Sequence, residues 1–527
     1  MIENPILPGF HPDPSICRVD DNYYIANSTF QWWPGVRIHH SRDLAHWTPV
    51  GYAVTRPNQM DLIGIEDNGG VWAPCLTHYQ GIFFLIYTVV RSWTGAYKDA
   101  HNFLITAPQI TGPWSDPIYL NSSGFDPSLF HDDTGRKWLV NMQWDHRPDR
   151  NPFCGILIQE FDLNKQRLVG PVINIFKGTD HGSVEGPHIY KRNGHYYLIT
   201  AEGGTGWDHV ATVARSKHLF GPYEIMPNNP LVTSKYDITL PLQRAGHGSL
   251  VETQNKKWYF VHLTGRPVMP ERRCTLGRET AIQAVVWDKE GWPRLATGGN
   301  TPALEVPDPD LEDYPFVTDS QTVDDFDDFD KPMLGHAFNT LREPPHDIWL
   351  SLTERESHLR LYGRESLYSK HYQSLVARRL NRFCVAASTI VEFEPHNFQQ
   401  MAGLIFYYDT VDHHYLFVSQ NERGRHLGIL TSEAGDNVAY PGVEVRLKPG
   451  PVYLKGEMRY GDLQFLYSRE KDLWKPIGPI LDATVVSDEY KSTGKFTGAF
   501  AGVCVQDLTG QRCFADFDWF KLEGLPE

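Results

Sequence analysis

The chain has 527 residues and a net charge of −15, from 49 Lys and Arg against 64 Asp and Glu. An acidic surface argues against nucleic acid or an anionic membrane as the main partner, since both select basic proteins, and it fits a neutral ligand. Aromatic residues make up 13% of the chain, with 15 Trp, and such rings both stack on ligand faces and fill β-sheet cores.

The first residues, Met1-Ile2-Glu3-Asn4-Pro5, have no basic region followed by an apolar run, so no signal peptide is expected. No apolar stretch reaches membrane-spanning length; the best, from Gly81 to Val90, reads as a strand. Seven cysteines lie scattered at 17, 75, 154, 274, 384, 504 and 513. They form neither a metal-ligand spacing nor a disulfide framework. Reduced thiols and a cytoplasmic location are the expectation.

From the N-terminus onward one phrase recurs five times. It runs Phe10-His11-Pro12-Asp13-Pro14-Ser15, then Val71-Trp72-Ala73-Pro74, Phe125-Asp126-Pro127-Ser128, Val184-Glu185-Gly186-Pro187 and His247-Gly248-Ser249. Aligned on Pro14, Pro74, Pro127, Pro187 and Ser249, the steps are 60, 53, 60 and 62 residues. Each copy continues as a short apolar strand, a turn rich in Gly, Asn and Asp, and an aromatic strand such as Tyr23-Tyr24-Ile25 or Trp258-Tyr259-Phe260. That is a β-hairpin pattern. A third strand and a polar outer segment complete each unit. Five units of four strands predict a five-bladed β-propeller over residues 1–305.

In a propeller the innermost strands converge on the axis. At their starts, one or two residues before the aligned positions, lie Asp13, Trp72, Asp126, Glu185 and His247. A structural position carries similar residues in every copy, and these differ. Taken one at a time, Asp13 and Asp126 before proline read as turn residues, and Glu185 as a loop residue. Their shared register in the repeat favours a site of three carboxylates, an aromatic and a histidine.

After Trp292-Pro293 the pattern stops. A stretch rich in Pro and acid follows, with residues 306–323 read as a linker. Residues 324–527 again alternate as short strands, among them 358–362, 384–391, 402–408, 414–418, 452–458, 464–467 and 514–522. They predict a β-sandwich. The fold class is therefore all-β: a propeller followed by a sandwich, with almost no helix.

The motifs Asn4-Pro5-Ile6-Leu7-Pro8-Gly9-Phe10-His11-Pro12-Asp13-Pro14-Ser15, Gly69-Gly70-Val71-Trp72-Ala73-Pro74, Val184-Glu185-Gly186-Pro187-His188 and Thr275-Leu276-Gly277-Arg278-Glu279-Thr280, in this order, resemble glycoside hydrolase family 43. The nearest branch is its intracellular two-domain β-xylosidases, and the resemblance extends over the whole chain. It implies an inverting glycosidase with Asp13 as general base, Glu185 as general acid and Asp126 orienting Glu185 and the substrate. It also implies Trp72 as a sugar platform, Phe30 as a pocket wall and Arg278 on sugar hydroxyls. Packed core aromatics and a surface ion pair are the plainer alternatives for those three. His247 is either a buried neutral histidine or a residue beside a calcium ion or water at the channel centre. No cofactor is required by the chemistry, and a structural calcium at His247 is the one metal considered. The second domain is a binding module, an oligomerisation domain, or the donor of an aromatic that closes the pocket; Phe500 is the residue put forward for that closure.

The expected activity is that of an exo-acting β-1,4-xylosidase on short xylo-oligosaccharides, with side activity on α-L-arabinofuranosides and a homo-oligomeric state. A main α-L-arabinofuranosidase activity is the alternative. A non-catalytic sugar-binding propeller is the third reading, disfavoured because binding alone needs no separated acid and base. Gly-rich phosphate loops and Gly-x-Ser-x-Gly nucleophile motifs are absent.

Overall fold

The computed structural model describes residues 1–311, 325–440, 443–491 and 495–527. Each of the five repeats forms a four-stranded antiparallel sheet. The first consists of Ser15–Val19, Asn22–Asn27, Gly35–Ser41 and Thr48–Val54. In the fourth, a further two-residue strand, Val232–Thr233, pairs with the third strand.

The inner strands of the five blades are Ser15–Val19, Gly70–Tyr79, Ser128–His131, Glu185–Arg192 and Gln243–Glu252. Each packs on its neighbours, and the fifth packs on the first, which closes the ring. Serine hydroxyls at the inner strands bridge neighbouring blades. The Ser15 hydroxyl accepts the backbone N–H of Leu76 in the second blade at 3.0 Å. The Ser249 hydroxyl accepts the N–H of Ile16 in the first at 2.9 Å. These bonds satisfy buried amides that no strand partner reaches.

The start of the chain is tied to the end of the propeller. Ile2–Glu3 pairs with Glu305–Val306, and the Asn4 amide donates to the carbonyls of Ile282 and Ala303. Of the segment read as a linker, Val306 belongs to that pairing; 312–323, with Asp324 after it, lies outside the described residues.

The remaining strands build two large antiparallel sheets. Leu404, Phe406, Leu454, Phe465, Phe517 and Phe520 belong to the buried core that they share. Strands Cys384–Glu392, Gln400–Tyr407, His413–Asn421, Val452–Arg459 and Phe514–Gly524 fall where the alternation predicted. A single 3₁₀ turn, Ala483–Val485, is the only helix among the described residues.

The two domains share a sheet and a core. Trp32–Trp33, from the loop between the second and third strands of the first blade, pairs with Phe338–Leu341 of the sandwich. Trp32 is fully buried and stacks on Phe500 at 3.7 Å with an 18° interplanar angle. Phe10, Ile405 and Tyr407 join the same cluster.

Candidate active site

In an antiparallel blade the start of the first strand and the end of the second lie at the same end of the sheet. So the segments entering the inner strands and the loops joining second to third strands rim one face. A cavity of about 440 Å³ opens there, within the range of about 300–1,000 Å³ usual for small-molecule sites. Asp13, Trp72, Asp126, Glu185 and His247 line it from the inner strands and their approaches. Phe30, Trp93, Lys98, Gly203–Gly206 and Arg278 line it from the rim loops, and Trp144 and Phe153 from the strand ends beside them. Phe496 is the one lining residue from the sandwich.

The three carboxylates are all buried. Asp13 accepts the Ser28 hydroxyl on Oδ2 at 2.6 Å and Arg278 Nη1 on Oδ1 at 2.8 Å. Each oxygen retains a lone pair for a water. Asp126 accepts the backbone N–H of Gly186 at 3.1 Å, which places it against the residue following Glu185. Asp13, Asp126 and His247 hold φ of 51°, 52° and 35°. Left-handed backbone costs a non-glycine residue of the order of 1–3 kcal/mol, and here it recurs near the inner-strand starts of three blades.

Burial first, then the charges of Asp126 and Asp13, pushes the Glu185 carboxyl well above the usual range. Burial and the Asp13 charge raise Asp126 as well. Buried carboxylates that feel one another's charge cannot all ionise readily, and with Asp126 pushed up to about 8 a proton is retained at neutral pH. Burial lowers the His247 pKa. Its ring is therefore neutral near pH 7. It packs against Gly186, where a Cβ would stand 3.0 Å from the imidazole, and its Nδ1 lies 3.9 Å from Asp126.

The walls are aromatic. Phe496 stands 5.1 Å from Trp93, 5.8 Å from Trp72 and 6.3 Å from Phe30 between ring centroids. Asn68 holds two of them: its carbonyl accepts the Trp72 indole N–H at 2.9 Å, and its side-chain oxygen accepts the Phe496 N–H at 2.8 Å. Lys98 donates to the Trp93 carbonyl at 2.7 Å and sits 4.2 Å from the centre of the Trp144 ring.

The profile described as "Glycosyl hydrolases family 43" matches residues 2–293, and that of the "Beta xylosidase C-terminal Concanavalin A-like domain" matches residues 326–523. The chain belongs to glycosyl hydrolase family 43. This family 43 hydrolase superposes on the crystal structure of a xylan β-1,4-xylosidase from Bacillus halodurans C-125 with a TM-score of 0.97 and 54% identity, over 99% of this chain and 100% of that one. It is 49% identical to a xylosidase/arabinosidase of Humicola insolens over 99% of this chain and 97% of the relative. It is 44% identical to a xylan 1,3-β-xylosidase of a Vibrio species, over 99% and 98% respectively.

Seven of the eight site residues expected from the sequence line the cavity of this family 43 hydrolase. Phe500 does not. It is fully buried between Trp32 and Phe10, at the start of the strand Phe500–Asp507. Burying such a ring is worth about 1.5–3 kcal/mol, and its stack about 0.5–1.5 kcal/mol more; turning it into the cavity would forfeit both. Phe496, four residues earlier, is the sandwich aromatic in the pocket. Arg278 also differs from expectation. Its Nε and Nη2 both donate to the Phe496 carbonyl, at 3.0 and 2.8 Å, leaving one hydrogen on each terminal nitrogen for a ligand.

Sequence reading missed Trp93, Lys98, Phe125, Trp144, Phe153 and the Gly203–Gly206 loop. The loop position was the available signal. Phe30 and Arg278 occupy the second-to-third-strand loops of blades one and five, and the same loops of blades two and four, with the strand ends flanking that of blade three, hold most of the missed residues.

Among the described residues, no group of three or more His, Cys, Asp or Glu side chains is arranged to hold a metal. His247 Nδ1 stands 3.9 Å from Asp126 Oδ2. Calcium takes six to eight oxygen ligands, so an ion there would depend on water for nearly all of them. All seven cysteines are free. Among the described residues, no helix is long and apolar enough to cross a membrane.

Proposed function

We propose that this family 43 hydrolase is an exo-acting, inverting β-1,4-xylosidase, releasing xylose from the non-reducing ends of short xylo-oligosaccharides, with side activity on α-L-arabinofuranosides. Residues 1–305 carry the chemistry, and 324–527 supply one wall of the pocket. One observation carries the reading: Asp13, fixed by Arg278 and Ser28, shares a closed aromatic cavity with Glu185, whose pKa is raised.

The mechanism follows from that pair. Glu185, protonated at neutral pH, gives its proton to the glycosidic oxygen. Asp13 takes a proton from a water attacking the opposite face of the sugar, and the anomeric centre inverts. An inverting pair stands about 6.5–9.5 Å apart to admit the water; Asp13 and Glu185 come from the first and fourth blades and line the same cavity. Burial, with the neighbouring acids, keeps Glu185 protonated, and Asp126 orients its backbone through Gly186. Trp72 and Phe30 offer faces to the sugar ring. The free hydrogens of Arg278 donate to its hydroxyls. His247 acts as a neutral ring at the cavity floor, and the chemistry needs no cofactor.

Phe496 closes the glycone side. A pocket closed at one end admits a single terminal sugar, which makes the action exo. A pentopyranose and an arabinofuranose present similar outlines to such a pocket, whereas a hexose carries an extra hydroxymethyl group. A cytoplasmic location and a homo-oligomeric state accompany this reading, since the free cysteines suit a reducing compartment.

A proton NMR time course on β-1,4-xylobiose tests it, with β-1,3-xylobiose and 4-nitrophenyl α-L-arabinofuranoside in parallel. Fast cleavage of the 1,4-linked dimer with α-xylose appearing first is expected. β-Xylose appearing first would withdraw the Asp13 and Glu185 roles. Faster turnover of the 1,3-linked dimer would change the linkage, and arabinose release with inert xylobiose would make the enzyme an arabinofuranosidase.

A further inference from the structure

The pocket wall supplied by the sandwich hangs on a short extended segment, residues 495–499. Its side toward the cavity is held by the bonds already described: the Phe496 N–H on Asn68, and the Phe496 carbonyl on Arg278. The segment also abuts the fifth blade closely. A Cβ on Gly277 would lie 1.8 Å from the Thr497 carbonyl oxygen, so only glycine permits this approach at its φ of 71°.

On the other side, two anchors lie wholly within the protein. The Thr497 N–H donates to the Tyr408 hydroxyl at 3.1 Å, and that hydroxyl donates to Asp488 at 2.7 Å. Asp488 in turn pairs with Arg244 of the propeller at 2.7 Å. The second anchor is Lys495. Its ammonium bonds Asp412 and stands 3.4 Å from Asp409. All three side chains are less than 10% exposed. Thr410, between the two acids, bonds Asp67 of the second blade, whose other oxygen accepts Arg342 at 2.6 Å. Asp67 immediately precedes Asn68.

A buried ion pair is a weak source of net stability, because desolvation offsets most of the attraction. Its directionality is another matter: one ammonium between two fixed carboxylates has little freedom to move. We propose that Lys495, held by Asp412 and Asp409, is a positioning residue that sets the Phe496 wall, and through the Phe496 carbonyl the Arg278–Asp13 pair. The inference rests on Asp13 and Phe496 having the parts given to them above. Lys495 touches no substrate; it acts through the next residue in the chain.

The test is a double-mutant cycle on xylobiose hydrolysis with Lys495→Met, Phe496→Ala and the pair combined, at a temperature where each variant is folded by circular dichroism. A displacement of about 1 Å at a reacting group costs of the order of 100-fold in rate, so Lys495→Met should lower kcat/KM by about that factor, with kcat falling as well as KM rising. In the Phe496→Ala background the same substitution should cost about tenfold less, because the wall it sets is gone. Lys495→Arg, which keeps the charge, should recover most of the loss. Strictly additive losses, or a folded Lys495→Met enzyme with native kcat/KM, overturn the proposal. Should Lys495→Met fail to fold, Asp412→Asn replaces it in the same cycle, with the same coupling expected and the same additive result decisive against it. A native enzyme inert on xylobiose would instead refute the xylosidase reading itself.

Discussion

Arg278 Nη1 meets Asp13 Oδ1 at 2.8 Å, and both groups are almost completely buried. The same guanidinium binds the Phe496 carbonyl with two further donors. The carboxylate proposed as base is thus fixed by an arginine whose other edge is fixed by the second domain. That arrangement makes the sandwich part of the active site in geometry and not only in packing.

Arg278→Ala should therefore lose more than substrate affinity. Misplacing Asp13 costs about 100-fold in kcat, and leaving a buried carboxylate unpaired costs about 3–5 kcal/mol of stability. Arg278→Lys should recover little, since lysine lacks the planar fork that spans Asp13 and the Phe496 carbonyl together. Steady-state kinetics and thermal melts check both; a lysine variant with native kcat would remove the fork from the argument.

Glu185→Ala should show a leaving-group signature. General acid catalysis supplies about 10²–10⁴-fold where the leaving group needs a proton. Xylobiose turnover should fall by that order, and 4-nitrophenyl β-xyloside turnover far less. The raised pKa of Glu185 also sets the alkaline limb of the native kcat/KM profile, activity falling as pH rises through it. That limb should disappear in the variant on the nitrophenyl substrate. Equal losses on both substrates would end the acid assignment.

The same raised carboxyls shape stability. Asp126 and Glu185 bind protons in the folded enzyme at pH values where the unfolded chain, with ordinary carboxyls near about 4, has released them. Stability from these groups is present below that value and is lost as pH rises from there through about 8, where Asp126 titrates. Asp126→Asn should therefore be inactive yet melt higher than the native enzyme at pH 8, with a smaller difference at pH 4.5. A lower Tm across the whole range would contradict the pKa direction.

Treatment with EDTA should leave xylobiose turnover unchanged if the chemistry is cofactor-free as proposed. A loss restored by calcium and not by magnesium would place an ion beside His247 after all.

How far the sequence reached differs from residue to residue. The repeat carried Asp13, Trp72, Asp126, Glu185 and His247 to one place, because a closed ring of equivalent strands brings the starts of those strands together. Lys98 and Trp93 escaped it because loops have no period, and only the antiparallel geometry of the blades puts them on the same face.

Phe496 and Phe500 mark the boundary most sharply. Alternation in a β-segment has a period of two, so residues four apart share a side, and pattern alone does not choose between them. The choice was made by Trp32, which enters the sandwich sheet from the propeller and buries Phe500, and by Gly277, which lets the fifth blade press on the backbone just after Phe496. Local repetition and patterning in the sequence by itself determined the propeller, the sandwich and the ring of acids. Only the tertiary structure decided which wall closes the pocket and what holds Arg278, because those contacts join residues more than 200 positions apart that no local pattern relates.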